Sequence, residues 1–192
     1  MSKWGSCWPA RIASWRYSRL MFKPPKGLKG VEIVLATSED WERVRHVRLH
    51  ALADAPFAFG SRLEEEQDRP EAFWRSRLES HAAGTFLAVQ GHETVGFVRT
   101  FVEPEDVTSA KLVSMWVAPP VRRRGVGRQL VAAVVQWARD QGTTCVQLWV
   151  TETNAAARWL YESCGFVLSG GRQPLPSNPV LSEVAMRLDL GD

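Results

Sequence analysis

From residue 31 onward the chain shifts repeatedly between two hydrophobic periods. "VEIVLA" at 31–36 has the β-branched character of a strand. Trp41, Val44, Val47, Ala51 and Leu52 then recur at helical spacing. Thr37 or Ser38 stands where a cap belongs, and Glu39 and Asp40 lie at the positive end of the helix dipole. "DAPFAFGS" interrupts with Pro56 and Gly60, and a second helix is expected over Pro70 to Ser80, with Phe73, Trp74 and Leu78 on one side. "GTFLAVQGHETVGFVRTFVE" reads as two strands joined at Gly91-His92. "AKLVSMWVA" is a third strand. Its run 112–117 is apolar apart from Ser114, as a central strand covered on both faces requires, and Pro119-Pro120 stop it.

A long helix begins near Gly125. Leu130, Val131, Val134, Val135 and Ala138 form its apolar stripe, while Arg128, Gln129, Ala132, Gln136 and Arg139 lie off it. The strand "CVQLWVT" and the short helix "NAAARWLYESCG" follow. "FVLSGG" and "VLSEVAMRLDL" read as final strands around a Pro-rich connection. Strands with interspersed helices give an α/β (α+β) chain with a mixed sheet.

The start of the long helix is chemically unusual. "VRRRGVG" places Arg122, Arg123 and Arg124 beside amides that have no partner inside the helix and carry its positive pole. Each cation there costs about 0.3–1 kcal/mol in the free protein, and Gly125 and Gly127 cost about 1 kcal/mol each relative to Ala. A bound phosphate reverses both effects, because it satisfies the amides and pairs with the arginines. A solvated basic turn whose glycines allow close packing is the alternative. The Walker pattern G-x-x-x-x-G-K-[ST] is absent. The dinucleotide fingerprint fails as well: Leu130 stands where its third glycine belongs, and no acid follows about 20 residues on.

Composition narrows the classes further. At 192 residues the chain suits one domain with an ordinary core. No apolar run approaches a membrane span, so stable membrane insertion is not expected. Of the 24 Lys and Arg residues, seven fall in residues 1–30, which contain no acid; residues 31–192 are acidic by four. The net charge of +3 therefore belongs to the N-terminal segment, and nucleic acid is not an expected partner of the remainder. Residues 1–30, with Trp4, Trp8 and Trp15 among the basic side chains, read as a mobile extension. An arm touching anionic lipid or nucleic acid, or a true start at Met21, are the other readings. Cys7, Cys145 and Cys164 form no disulfide or zinc framework and suit a reduced, cytoplasmic chain. His46 and His50 lie four apart with no evident third ligand, so no metal is expected.

Arg122-Arg123-Arg124-Gly125-Val126-Gly127 fits the pattern R/Q-x-x-G-x-G/A, and "NAAARWLYESCGF" at 154–166 fits N-x-x-A-x-x-L-Y-E-x-x-G-F. In these two motifs, in this order and spacing, the chain resembles the GNAT superfamily of N-acetyltransferases. The likeness runs over about Val31 to Leu190 and is strongest from Leu112 to Phe166. It implies a mostly antiparallel, splayed sheet of about seven strands flanked by about four helices, in an N-acetyltransferase domain at 31–192. It implies acetyl-CoA as co-substrate, with its pyrophosphate on the amides from Arg123 to Arg128 after Arg122. The pantetheine arm would lie along Met115, Trp116 and Val117 and touch Asn154. Tyr161 would face the sulfur and hydrogen-bond the departing thiolate, although its ring also shares a helical face with Ala157, Leu160 and Cys164.

An amine acceptor is implied, either a small molecule or a protein lysine or N-terminus, attacking the thioester directly. Many members carry a glutamate in the strand before the turn; here that place holds Lys111, and Glu152 is the next candidate base, ahead of Glu103 and Glu105. The acceptor pocket is expected from "LHALADAPFAFGSRLEEE", with Phe57 and Phe59 as an apolar wall and Glu64, Glu65 and Glu66 as an acidic rim for a cationic amine. Three glutamates on a solvated helix face are the alternative. A non-catalytic acyl-CoA-binding or sensor domain is the rival function. Edge strands leave a homodimer open.

Overall fold

Alternation along the central strands assigns their side chains to two separate cores. In the computed structural model, which describes residues 30–191, Phe86 and Ala88 point into one cluster while Leu87 and Val89 point into the other. The basic extension 1–30 and the alternative start at Met21 lie outside the described residues, apart from Gly30.

The chain runs β1 (Val31–Leu35), α1 (Trp41–Asp54), the single turn α2 (Leu63–Glu66), α3 (Glu71–Glu79), β2 (Ala83–Gln90), β3 (Glu93–Glu103) and β4 (Asp106–Val117). It continues through α4 (Val126–Asp140), β5 (Cys145–Thr151), α5 (Ala155–Ser163), β6 (Val167–Leu175) and β7 (Asn178–Asp189). The seven strands form one sheet ordered β1-β2-β3-β4-β5-β7-β6. Every neighbouring pair is antiparallel except β4 with β5. The mixed, mostly antiparallel class is as expected, and the short α2 brings the α-helices among the described residues to five.

α1 starts where the acidic turn placed it. Thr37 N–H donates to Asp40 Oδ2 at 3.0 Å, so the carboxylate reaches back to the open end of the first turn. α1 and α3 cover one face of the sheet through Val47, Leu52 and Trp74, all nearly inaccessible. α4 covers the other through Leu130, Val131, Val134 and Ala138. Gln129 departs from the expected pattern. It is only 2% exposed, and its Oε1 has no partner among the described residues.

Two features of β4 shape the rest. Parallel pairing with β5 lasts only from Ser109↔Cys145 to Lys111↔Gln147, after which the strands part. Against β3 the register jumps between Phe97↔Trp116 and Arg99↔Val113, so β4 carries an extra residue there. Ser114, at φ 58, sits in this bulge. The bulge reverses the parity of the strand: Ala110 and Leu112 share the α4-side core with Met115 and Val117, whereas Trp116 enters the α1-side core.

The C-terminal hairpin differs from its expected form. β6 and β7 continue through most of the Pro-rich stretch, pairing Pro174 with Ser182 and Leu175 with Asn178. Pro174 is tolerated because β6 is the outermost strand, where a missing N–H costs no ladder bond.

Leu130 is fully buried at the centre of the α4 face. Leu130→Ala is expected to lower unfolding stability by about 2–5 kcal/mol. Urea titration checks this, with a shifted midpoint and an unchanged slope.

Candidate active site

The turn before α4 leaves a run of backbone amides open. Arg123 has φ 60 and Gly125, the residue capping α4, has φ 88, so two left-handed residues alternate with Arg124. Such alternation turns successive N–H groups toward one concavity. Among the described residues, no amide from Arg123 to Arg128 has a protein acceptor; the first bond of the helix is Gln129 N–H to Gly125 O at 3.1 Å. The side chains of Arg123, Arg124 and Arg128 have no carboxylate within 4 Å among the described residues.

The glycines do different work. Gly125 supplies the positive φ. At Gly127 a Cβ would lie 2.9 Å from Leu160 Cδ2, so this glycine allows α4 to approach α5. Val126, the residue between them, is buried beneath the sheet.

Arg122 belongs to a different structure. Its Nε donates to Val117 O at 2.8 Å, and its Nη2 pairs with Asp54 at the end of α1. Asp54 Oδ2 also accepts from Trp116 Nε1 at 2.8 Å. Burial acts to raise the Asp54 pKa, but the bonds from Trp116 and Arg122 outweigh it and hold the carboxyl below its usual range. This tie fixes the end of β4 to α1. It commits the Arg122 side chain to the protein. His50 lies against the other side of Trp116, with ring centroids 5.5 Å apart.

On the α5 side, Asn154 caps the helix, its Oδ1 accepting from Ala157 N–H at 3.1 Å. The Tyr161 ring is buried against Phe166, 5.7 Å between centroids, and its hydroxyl has no protein partner among the described residues. Burial, reinforced by the neighbouring Cys164, pushes its pKa well above the ordinary tyrosine value. The phenol is therefore a proton holder at neutral pH. Burial also raises the Cys164 thiol, which makes it a poor nucleophile.

Glu152 is exposed and paired with Arg172 Nη2 at 2.8 Å. Lys111 donates to Gln147 Oε1 at 2.7 Å and lies 3.5 Å from Glu103. Glu183 was not legible in the sequence. It is 8% exposed, sits opposite Thr151 at the open end of β5, and accepts from Gln173 Nε2 at 2.6 Å.

The fold takes one member out of the expected acidic rim. Glu64 and Glu65 face solvent, but Glu66 is buried and receives both Nε and Nη2 of Arg48, at 3.0 and 2.7 Å. Phe59 is buried beneath the Arg48 guanidinium, 4.9 Å from its ring centre, whereas Phe57 is exposed. The 57–62 segment nevertheless bridges the gap beyond β4. Phe57 O accepts from Thr151 Oγ1 at 2.8 Å, Phe59 O from Ser177 Oγ at 2.5 Å, and Arg62 Nε donates to Ser177 O at 2.9 Å.

The sequence profile of the "Acetyltransferase (GNAT) family" matches residues 44–166, well over half of the chain. The chain belongs to the GNAT family. A mycothiol acetyltransferase of Thermobispora bispora is 32% identical over 162 residues, 80% of this chain and 53% of that protein. The uncharacterized N-acetyltransferase YhfO of Bacillus subtilis is 30% identical over 99 residues, 50% of this chain and 66% of that protein. The chain thus spans about half to two thirds of these relatives. The spermidine N-acetyltransferase from Vibrio cholerae, solved with CoA and spermine, superposes with a TM-score of 0.69 at 16% identity, covering 85% of this chain and 97% of that one. It shares the GNAT fold. Among the described residues no helix is long and apolar enough to cross a membrane.

Asp54→Ala leaves Trp116 Nε1 unpaired at a buried position and is expected to cost about 1–3 kcal/mol at pH 7. A carboxyl with a depressed folded pKa stabilises above its unfolded value and loses that contribution as pH falls through the folded one. The gap between wild type and D54A should therefore narrow below about pH 4, as read by urea unfolding across pH.

Proposed function

We propose that this GNAT chain is an acetyl-CoA-dependent N-acetyltransferase acting on a primary amine. The observation that carries the reading is the run of unpartnered amides from Arg123 to Arg128 beneath three arginines, opening beside strands that have separated. The residues present fit the co-substrate. The amides of the turn and the Arg123, Arg124 and Arg128 side chains suit its diphosphate. Beyond Lys111, β4 has no strand partner on its β5 side, so the backbone from Met115 to Val117 can pair with the extended pantetheine arm. The Asn154 carboxamide nitrogen remains for that arm while its oxygen caps α5. Arg122 acts by fixing Val117 rather than by touching phosphate.

Acetyl-CoA supplies an activated acetyl group as a thioester. Transfer forms a nitrogen–carbon bond to the amine and breaks the carbon–sulfur bond. The amine loses a proton, and the thiolate gains one or is held by a hydrogen bond. Tyr161 is the donor at the sulfur. Its raised pKa makes complete transfer to a thiolate uphill, so its main contribution is the hydrogen bond from a phenol with no competing partner. A lysine-like amine at pH 7 needs about 4.6 kcal/mol to shed its proton, which calls for a base. Glu152 and Glu183 are the carboxylates at the open end of β5. Glu152 is solvated and held by Arg172, while the burial of Glu183 favours it as a second choice. The free thiols of Cys145 and Cys164 fit a reducing compartment such as the cytoplasm.

Gly125→Glu places a carboxylate in the cradle and strains a left-handed position. Calorimetry is expected to show CoA binding weakened at least a hundredfold, and unchanged affinity would reject the assignment. Tyr161→Phe is expected to lower kcat at least tenfold with little change in the KM for acetyl-CoA. E152Q and E183Q, compared by the pH dependence of kcat/KM, identify the base by loss of the acidic limb.

A further inference from the structure

A shallow recess, about half open to solvent, lies between α1, α3 and strands β2 to β4; its interior of about 20 Å³ has room for about one water molecule, so only the end group of a ligand enters it. Its walls are apolar, with Val44, Trp74, Leu78 and Phe97, but three guanidinium groups line it: Arg48, Arg77 and Arg99. The carboxylate of Glu66 is the acid among its lining residues, and Arg48 uses both of its oxygens. Among the described residues, neither Arg77 nor Arg99 has a carboxylate within 4 Å; Arg77 lies over the ring of Phe73 and Arg99 over that of Phe101. Arg99 Nε is buried with no hydrogen-bond partner.

Glu66, already bound by Arg48, also attracts Arg77 from a distance, but Arg99 feels only the repulsion of Arg77 and Arg48, so positive charge is in excess around this recess, which is unfavourable for the free protein. Burial together with repulsion from Arg77 and Arg48 pushes the Arg99 pKa down to about 10, still fully charged at neutral pH. One small anion removes this imbalance, and a planar carboxylate matches the guanidinium fork. The recess also reaches the chemistry. Ser114, the bulge residue immediately before Met115, lines it and accepts from Arg48 Nη1 at 3.4 Å. A carboxylate held there leaves the rest of a small molecule next to the segment of β4 assigned to the pantetheine arm.

We propose that this recess is the specificity pocket for the acceptor, and that the acceptor is a small amine bearing a carboxylate, recognised by Arg99 and Arg77. This rests on the acetyltransferase reading, which it deepens from "amine" to "amino acid or similar amino acid-like compound". It replaces the cationic acceptor that an acidic rim would have favoured, because Glu66 is spent on Arg48.

The test compares matched ligands on the intact protein. With CoA present, N-acetylglycine and N-acetylleucine are titrated by calorimetry against their carboxamides. The acids are expected to bind at least tenfold more tightly, and R99Q and R77Q are expected to collapse that ratio. Equal affinity of acid and amide, no binding of the acids, or a ratio that survives both substitutions would overturn the proposal. Inorganic phosphate displacing the acids at lower concentration would reassign the pocket to phosphate groups and overturn the carboxylate assignment. In steady-state kinetics the free amino acids are expected to show a KM at least tenfold below that of their amides, and R99Q is expected to raise the acid's KM more than it lowers kcat. If no amine releases CoA, the acetyltransferase reading fails, while the calorimetric comparison still decides the anion pocket on its own.

Discussion

The parting of β4 from β5 is the constraint on which the molecule depends. Parallel strands exchange bonds only while they run side by side, and here they do so for three positions. Past that point β4 presents backbone groups that no strand satisfies. The sheet is held on both sides of the opening by antiparallel ladders, β3 with β4 and β5 with β7, so the gap is rigid at its edges. α4 closes one face through its buried stripe, and the 57–62 segment spans the other through bonds to Thr151 and Ser177. The opening is thus a fixed feature of the architecture.

The bulge at Ser114 serves the same opening from within β4. One extra residue sends Trp116 to the α1 side, where Asp54 and Arg122 secure it, and leaves Met115 and Val117 on the α4 side. Without that insertion, uninterrupted alternation from Leu112 would send Met115 and Val117 to the α1 side and Trp116 to the other. Strand end, helix end and arginine–glycine turn are then joined by Arg122, which also holds the Val117 carbonyl.

What could be read from the sequence was what local chemistry determines. The start of α4, the hairpin at Gly91-His92 and the break at Pro119-Pro120 follow from glycine, proline and periodicity within a few residues. The unpartnered amides follow from helix geometry itself. The long-range pairings could not be read. Glu66 looks like a surface residue until α2 folds against Arg48, 18 positions earlier. Arg99 alternates correctly for a strand, and nothing nearby in sequence signals that its Nε is buried without a partner. Glu183 is likewise defined by its neighbour across the sheet, Thr151. The Pro-rich stretch misleads because edge position, a property of the whole sheet, decides whether a proline ends a strand.

The contact between Gly127 and Leu160 has an evolutionary corollary. Positions 127 and 160 share one volume, since even a methyl group on the first would come within 2.9 Å of the second. The atom in the way is the far end of the partly exposed Leu160 side chain, so an alanine at 127 asks only that this side chain turn aside, whereas a longer residue there would have to push α5 itself away. Evolution can thus exchange the two smallest residues at 127 while the helix carrying the tyrosine stays where it is.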